Sequence, residues 1–322
     1  MTFEKWLIHP GENRVIDVDG VRTLKVGLVG GQVDVIGHDE PGVRVEVHGV
    51  TVKDLRIETS GDALEIDHAQ LRWDNVLQSF RNFGAGGPKA EISIAVPRDV
   101  ALTLGVVSAS ALVAGLQNGA RLNTVSGDVI VDGMIGDVSV NAVSGDTQIR
   151  GLVGGLSANS VSGDIAASGA LRKADVDTVS GATMIDATGE ADTISINTVA
   201  GAATVRLDPG LPANFAIRSV SGTVMVDGVT HSGGSGVGVN YTGSVGELSG
   251  SFVDLRAHSV SGAVTVLRRA EVAPAEAATP VAEARPDAVT TMPPAEQRPD
   301  AAAAAPVTDA RPDGGAATEE QW

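Results

Sequence analysis

The chain has 322 residues, 43% apolar and 20% charged, with 40 glycines, no cysteine and a formal net charge of −17. That balance excludes a disulfide framework and thiolate chemistry, and it opposes nucleic acid, because phosphate binding needs clustered Lys and Arg. Aromatic residues make up only 3%, so the core must be built from Val, Ile, Leu and Ala, and the many glycines point to short strands joined by tight bends.

In chain order, the N-terminal residues Met1 to Pro10 turn polar within a few positions and offer no signal-peptide hydrophobic stretch. The expected location is therefore cytoplasmic, with association to the envelope as the alternative. Residues 1–100 read as strands at 24–36, 43–52, 54–59, 63–67 and 91–96, the last closed by Pro97. They are expected to form an N-terminal β cap continuous with the repeat region after residue 100. Residues 71–87 depart from the strand pattern, since Trp73, Val76, Leu77 and Phe80 have helical spacing and Phe83 comes next. Trp73, Phe80 and Phe83 are a candidate contact surface for a partner, set against a plain helix or loop packed over an open sheet. Between Asp99 and Arg121 no residue is charged. That length could cross a bilayer, but Gly105, Ser108, Ser110, Gly115, Gln117, Asn118 and Gly119 interrupt it. It also falls into the register of a repeat, so no transmembrane segment is expected.

The repeat occupies residues 101–268. Val-Ser-Gly recurs at Val125, Val143, Val161, Val179, Val220 and Val260, with Val-Ala-Gly at Val199. The interval is 18 residues through Val179 and then lengthens to 20 and 21. A degenerate copy starts at Val107, and Tyr241-Thr242-Gly243 is the expected copy between Val220 and Val260. The glycines Gly127, Gly145, Gly163, Gly181, Gly201, Gly222 and Gly262 are read as structural bends. After each bend comes a strand of period 2, as in Asp128-Val129-Ile130-Val131-Asp132. Stacking the copies gives an inward aliphatic ladder of Val131, Ile149, Ala167, Ile185, Val205, Val226 and Val266. The next residue outward runs Asp132, Arg150, Ser168, Asp186, Arg206, Asp227, so opposite charges are expected to meet on neighbouring coils. Two residues before each Val lies a second column, Asn123, Asn141, Asn159 and Asn197, with Asp177 among them. This reads as a structural ladder of stacked amides. The fold class is all-β: a β-solenoid or β-helix-like stack of coils of about 18–21 residues. Residues 269–322, rich in Ala, Pro, Glu and Asp with Arg-Pro-Asp at Arg285, Arg298 and Arg311, are expected to be a disordered tail.

Chemistry has no clear address in this pattern. Asp128, Asp146 and Asp164 follow the glycine on consecutive coils, a column that could bridge a cation or could cap turns. The Gly-Gly-x-Gly-x-Asp calcium-roll pattern is absent, and the six histidines show no metal-ligand spacing. Neither phosphate loop nor nucleophile elbow occurs. The expectation is a non-enzymatic protein with no metal and no cofactor, open to a protein partner or to self-association, and with an unidentified ligand.

The repeated Val-Ser-Gly-Asp, the Ile94-Ala95-Val96-Pro97 segment and the Gly-rich early strands resemble the bacterial "putative adhesin" family, β-strand-repeat domains of unknown function. The resemblance covers residues 15–268 and implies stacked β coils and a binding role. The function read from it is a structural or interaction protein presenting a rigid, repetitive, adhesin-like platform. One alternative is a cytoplasmic self-assembling scaffold similar to bactofilins. Another is a β-helix enzyme acting on polysaccharide.

Overall fold

The computed structural model describes residues 3–68, 87–231, 238–247 and 250–270. Trp73, Phe80 and Phe83, the helical spacing around them and the C-terminal tail from residue 271 lie outside the described residues. Met1–Glu271 form one compact unit and Val272–Trp322 a second. Among the described residues the chain is all-β.

The first strands are β1 (Phe3–Ile8), β2 (Arg14–Val18), β3 (Thr23–His38), β4 (Val43–Thr51), β5 (Leu55–Ser60), β6 (Ala63–His68) and β7 (Lys89–Pro97). The repeat region adds β8 (Ala101–Ala114), β9 (Ala120–Thr124), β10 (Val129–Asp132), β11 (Val138–Ser144), β12 (Thr147–Ser162), β13 (Ile165–Ser180), β14 (Thr183–Ala187), β15 (Thr193–Ala200) and β16 (Ala203–Leu207). The last are β17 (Ala213–Ser219), β18 (Val224–Val226), β19 (Val229–His231), β20 (Val239–Val245), β21 (Val253–Ser259) and β22 (Val264–Arg268). All 22 belong to one sheet. The long strands β3, β8, β12 and β13 each turn a corner and thereby join two ladders.

The first ladder runs β1–β5–β6–β3–β8–β9–β11–β12–β13–β15–β21–β17–β20. The second runs β2–β4–β7–β3–β8–β10–β12–β13–β14–β16–β22–β18–β19. From β6 to β17 and from β7 to β18 every pairing is parallel, and the strands beyond those limits are antiparallel. Each repeat supplies one strand to each ladder, and its Val-Ser-Gly makes the corner between them. Strand pairing passes through residue 100 without a seam, since β3 pairs with β8 from Thr23↔Ala101 to Ile36↔Ala114.

Alternation decides what is inside. In β11, Val138, Val140 and Ala142 are buried while Asn141 and Val143 are exposed. The inward aliphatic ladder is buried as expected, and with its counterparts on the first ladder it forms one continuous core. At the second corner Leu116, Met134, Leu152 and Leu171 are fully buried and fill the space between ladders. Each such side chain contributes about 1.5–3 kcal/mol, and only stacking realises it, because a single coil has no second layer to cover it.

The stacking order departs from chain order at the C-terminal end. β21 lies between β15 and β17, and β22 lies between β16 and β18. The inward ladder therefore reads Val205, Val266, Val226. Tyr241-Thr242-Gly243 is not a coil: β20 folds back antiparallel on β17, with Tyr241 opposite Ile217. Its ring sits 6.4 Å from Phe215 and 4.3 Å from His231, covering the end of the core. Tyr241 had the right spacing for a copy, but the antiparallel return satisfies the outer edge of β17 that a further coil would leave open.

The expected charge ladder forms only where geometry allows. Arg206 bonds Asp186 across adjacent rungs, whereas Arg150 turns to Gln148 at 2.8 Å. Asp227 meets Arg268 at 3.2 Å rather than Arg206, because the inserted coil separates them. Arg269 bridges Asp186 and Asp208, and Arg268 also donates to the Leu211 carbonyl at 2.7 Å. Arg268 ends β22 and Arg269 follows it, and together they fasten the inserted coil to the coils on either side.

At the first corner the glycines share one property. A Cβ on Gly127, Gly145, Gly163, Gly181, Gly201, Gly262 or Gly222 would lie less than 3.0 Å from the backbone carbonyl of the bend below, in each case a backbone atom that cannot step aside. We expect Gly163→Ala, where φ is +132°, to cost about 3 kcal/mol or more in urea unfolding. Gly61→Ala, with φ +67° but open space around it, should cost about 1 kcal/mol. Equal costs would show that backbone crowding does not govern the bend.

Candidate functional site

The outer surface of the first ladder, beside the bends, carries two parallel columns. In each coil the residue before the buried Ser or Thr, replaced by Ala142 in one coil, is polar and the residue after it is Val, as in Asn159-Ser160-Val161, and alternation turns both outward. The polar column climbs Asn123, Asn141, Asn159, Asp177, Asn197, His258, Arg218, and the apolar one climbs Val125, Val143, Val161, Val179, Val199, Val260, Val220. Between Val143 and Val260 these valines are about half exposed, 46–50%. Together the columns line an open groove of about 880 Å³.

The amides are stacked. Asn141 Nδ2 donates to Asn123 Oδ1 and Asn159 Nδ2 to Asn141 Oδ1, both at 3.0 Å, and Asn197 Nδ2 donates to Asp177 Oδ1 at 2.7 Å. The chain of bonds breaks once. An ionised Asp177 has no proton to give the Asn159 amide oxygen on the rung below.

Beneath the columns, the hydroxyl buried at the start of every bend except the one after Ala142 has two fates. Thr124, Ser219 and Ser259 accept from the bend glycine's N–H at 2.8–3.0 Å. Ser160, Thr178 and Thr198 are buried and line the groove without a hydrogen-bond partner. The aspartate column accounts for much of this difference. Asp128 Oδ1 accepts from Asp146 N, Asp146 Oδ1 from Asp164 N, and Asp164 Oδ1 from Ala182 N, at 2.7–3.0 Å. The glycine preceding each of those donors has φ of +122°, +132° or +124°. Gly127, Gly201, Gly262 and Gly222, which lie above Ser110, Ala182, Ala202 and Ala263, stay outside that region. An Asp on one rung thus turns the backbone of the next. These carboxylates therefore cap the neighbouring coil's turn, and among the described residues no group of three or more His, Cys, Asp or Glu is placed to hold a metal ion. The bend serines act between coils too: Ser126 and Ser261 donate to Val107 and Val199 carbonyls at 3.1 Å.

The buried titratable groups lie elsewhere. Asp67 is held by Arg56 through a bidentate pair at 2.8 and 2.6 Å. His68 is 1% exposed. Its Nδ1 accepts weakly from Val29 N at 3.4 Å and its Nε2 has no partner. Burial, assisted by the positive charge of Lys53, pushes its pKa down to about 4. The guanidiniums of Arg206 and then Arg269 hold the Asp186 carboxyl below its usual range despite partial burial.

Sequence reasoning found the amide column but not its direction, and it took no account of the exposed valines, since regularly spaced aliphatics read as core. The signal was parity: Val125 shares its face with Asn123. His258 and Arg218 were missed although they share the phase two residues before Val260 and Val220, because they break the run of amides; the rearranged stacking sets only their order.

The pattern of a known family matches residues 23–267, a span that holds the repeat and most of the early strands. The chain belongs to the Toastrack family, DUF4097. Solved structures similar to this Toastrack chain include a "putative cell adhesion protein" of Clostridium sporogenes, 14% identical, with coverage of 81% of this chain and 100% of that one and a TM-score of 0.25. A "putative adhesin" of Bacteroides fragilis is 12% identical, covering 80% and 98%, with a TM-score of 0.40. A "putative lipid binding protein" of Parabacteroides distasonis is 13% identical, covering 80% and 96%, with a TM-score of 0.40. Likenesses this distant carry no argument about ligand or partner. No curated protein matches the chain.

Two outcomes are expected of the Toastrack unit. Asp177→Asn supplies the missing amide proton and should raise stability by about 0.5–1 kcal/mol, read as a higher urea midpoint; a lower midpoint would show that the ladder does not need that bond. His68 binds its proton less readily folded than unfolded, so its contribution is complete above pH 6.5 and declines as pH falls toward 4. Between pH 7.5 and 5 this amounts to about 2 kcal/mol, and His68→Leu should flatten that part of the stability profile. An unchanged slope would place the burden on other groups.

Proposed function

We propose that this Toastrack domain is a non-enzymatic binding platform, a two-faced β-solenoid whose bend face is the contact surface. The observation that carries this is the column of half-exposed valines running in register beside an amide column. An outward position on a solvated ladder is ordinarily polar, and a continuous exposed apolar strip marks a site of contact. The scaffold is also rigid there, since consecutive rungs are joined by backbone ladders, amide bonds and aspartate caps.

Catalysis finds little support on this face. Glycoside hydrolysis uses two carboxyl groups about 5–9.5 Å apart, and among the groove-lining residues Asp177 is the carboxylate. His258 stands two rungs from it, roughly 10 Å away, beyond proton-transfer reach.

Self-assembly through the ends is opposed by the topology. Both ladders finish in antiparallel strands, β1 and β2 at one end and β20 and β19 at the other. A further parallel coil has no template on these short edges. The full chain should therefore elute as a 32.6 kDa monomer in size-exclusion chromatography with light scattering, at every concentration tested. Filaments, or a mass that grows with concentration, would overturn the platform in favour of a scaffold.

A further inference from the structure

We infer that the bend-face groove takes a single strand of a linear, uncharged glycan lying along the stacking axis. This rests on the reading of the bend face as a binding surface and names what it binds.

The first argument is size. From Val125 to Val220 the column climbs six rungs of about 4.8 Å, and the polar and apolar columns stand two residues apart on each strand, about 6.7 Å. The strip thus measures roughly 29 by 7 Å, about 200 Å², a quarter of the ~800 Å² each partner buries in a stable protein pair. It suits one slender chain molecule rather than a folded partner.

The second argument is the chemistry of the two sides. The valines offer an aliphatic wall suited to the C–H face of a sugar ring. Asn141 spends one Nδ2 proton and one Oδ1 lone pair on its neighbours, Asn159 and Asn197 spend one Nδ2 proton, and each keeps at least one donor and one acceptor for solvent. That spare donor and acceptor, at fixed spacing, match ring hydroxyls. Ser160, Thr178 and Thr198 lie beneath these columns with their hydroxyls buried, so the outward amides are what a ligand meets. An acyl chain would cover the spare donors and acceptors of the outward amides without pairing them, at a cost of about 1–3 kcal/mol each. An extended peptide gains its affinity from an unpaired strand edge, and the backbone here is already spent on the ladders.

The third argument is charge. Asp177 stands in the middle of the polar column, and the chain's net charge is −17. Both repel phosphorylated, sulfated or uronate polymers. At the column's end the Arg218 guanidinium opposes a cationic polymer, and the uncharged class remains. His258 and Arg218 close the column at one end only, which gives the bound strand a direction. Because successive rungs repeat a polar side chain beside a valine, each added sugar meets a new polar–Val pair, so weak contacts accumulate.

The test is calorimetric titration of the full chain with linear neutral glucose oligomers, β-1,4- and α-1,4-linked, from two to eight units. Carboxymethylated oligomers, palmitate and an unstructured peptide complete the probes. For at least one neutral series, affinity should rise with length up to about six units and then level. Val161→Glu and Val179→Glu, at exposed positions that leave melting unchanged, should lower it at least tenfold, while Met184→Glu on the other ladder should not. Preference for the carboxymethylated oligomers, or no binding of any neutral oligomer, would overturn the glycan assignment. Palmitate or peptide binding lost in the two valine variants would also overturn it, yet leave the bend face as the binding surface. Binding lost in Met184→Glu and kept in the valine variants would overturn the face itself.

Discussion

The structure depends on the absence of a Cβ at one position per coil. At the Val-Ser-Gly corner, successive backbones approach so closely that a side-chain carbon would collide with the carbonyl of the rung below. That closeness lets both ladders pass around the corner in register, with hydrogen bonds such as Ser144 N to Val125 O and Ser126 N to Val107 O continuing through the bend. Once the corner is shared, the coils that come after it at a constant period place equivalent residues directly above one another. The aliphatic core, amide ladder, aspartate caps and valine strip are all columns for this reason.

Columns allow a side chain on one coil to determine what the next coil does. The aspartates after Gly127, Gly145 and Gly163 each accept a backbone N–H from the coil above, and the bend there takes the left-handed form that presents it. Where Ala or Ser occupies that position the bend above stays outside the left-handed region, and in several of these corners a Ser or Thr hydroxyl caps the glycine. A local choice of residue is therefore read one rung away, at a sequence distance of 18. Along the same stack, Asp177 interrupts a bond chain its asparagine neighbours continue, and this departure from the repeat falls in the middle of the groove.

Much of the architecture was legible in the sequence. Val-Ser-Gly at constant spacing marked the corners, and Val131, Ile149 and Ile185 marked the buried face, because period and alternation are properties of a strand that need no tertiary information. The early strands, from 24–36 to 91–96, were legible by the same rule. Three features were not. The insertion of β21 and β22 between earlier coils depends on which edges pair, and the copies are too alike for sequence to choose. Tyr241 carried the right spacing but folds back as a cap, since spacing does not distinguish a new rung from an antiparallel return. The valine strip was hidden because an aliphatic column scores as core whichever side it faces, and only the register with Asn123 and Asn141 reveals its side.

The displaced coil has a consequence for how this chain reaches its native form. Residues from Ala101 to Leu207 can wind rung upon rung as they leave the ribosome, each resting on a completed predecessor. Residues 213–226 cannot take their final place next, because the rung they lie against is 253–268, which has not yet been made. The top of the stack must therefore hold an unfilled slot, or a provisional docking, until the end of the unit arrives and wedges in. Arg268, the last residue of the wedge, and Arg269 behind it reach Asp227 and Asp208 beside the flanking strands and Asp186 one rung further down. They act as a latch thrown last. Winding is sequential for most of the unit and closes in a single concerted step, so the slowest phase of folding belongs to its C-terminal coils, where contacts of long sequence separation have to be made together.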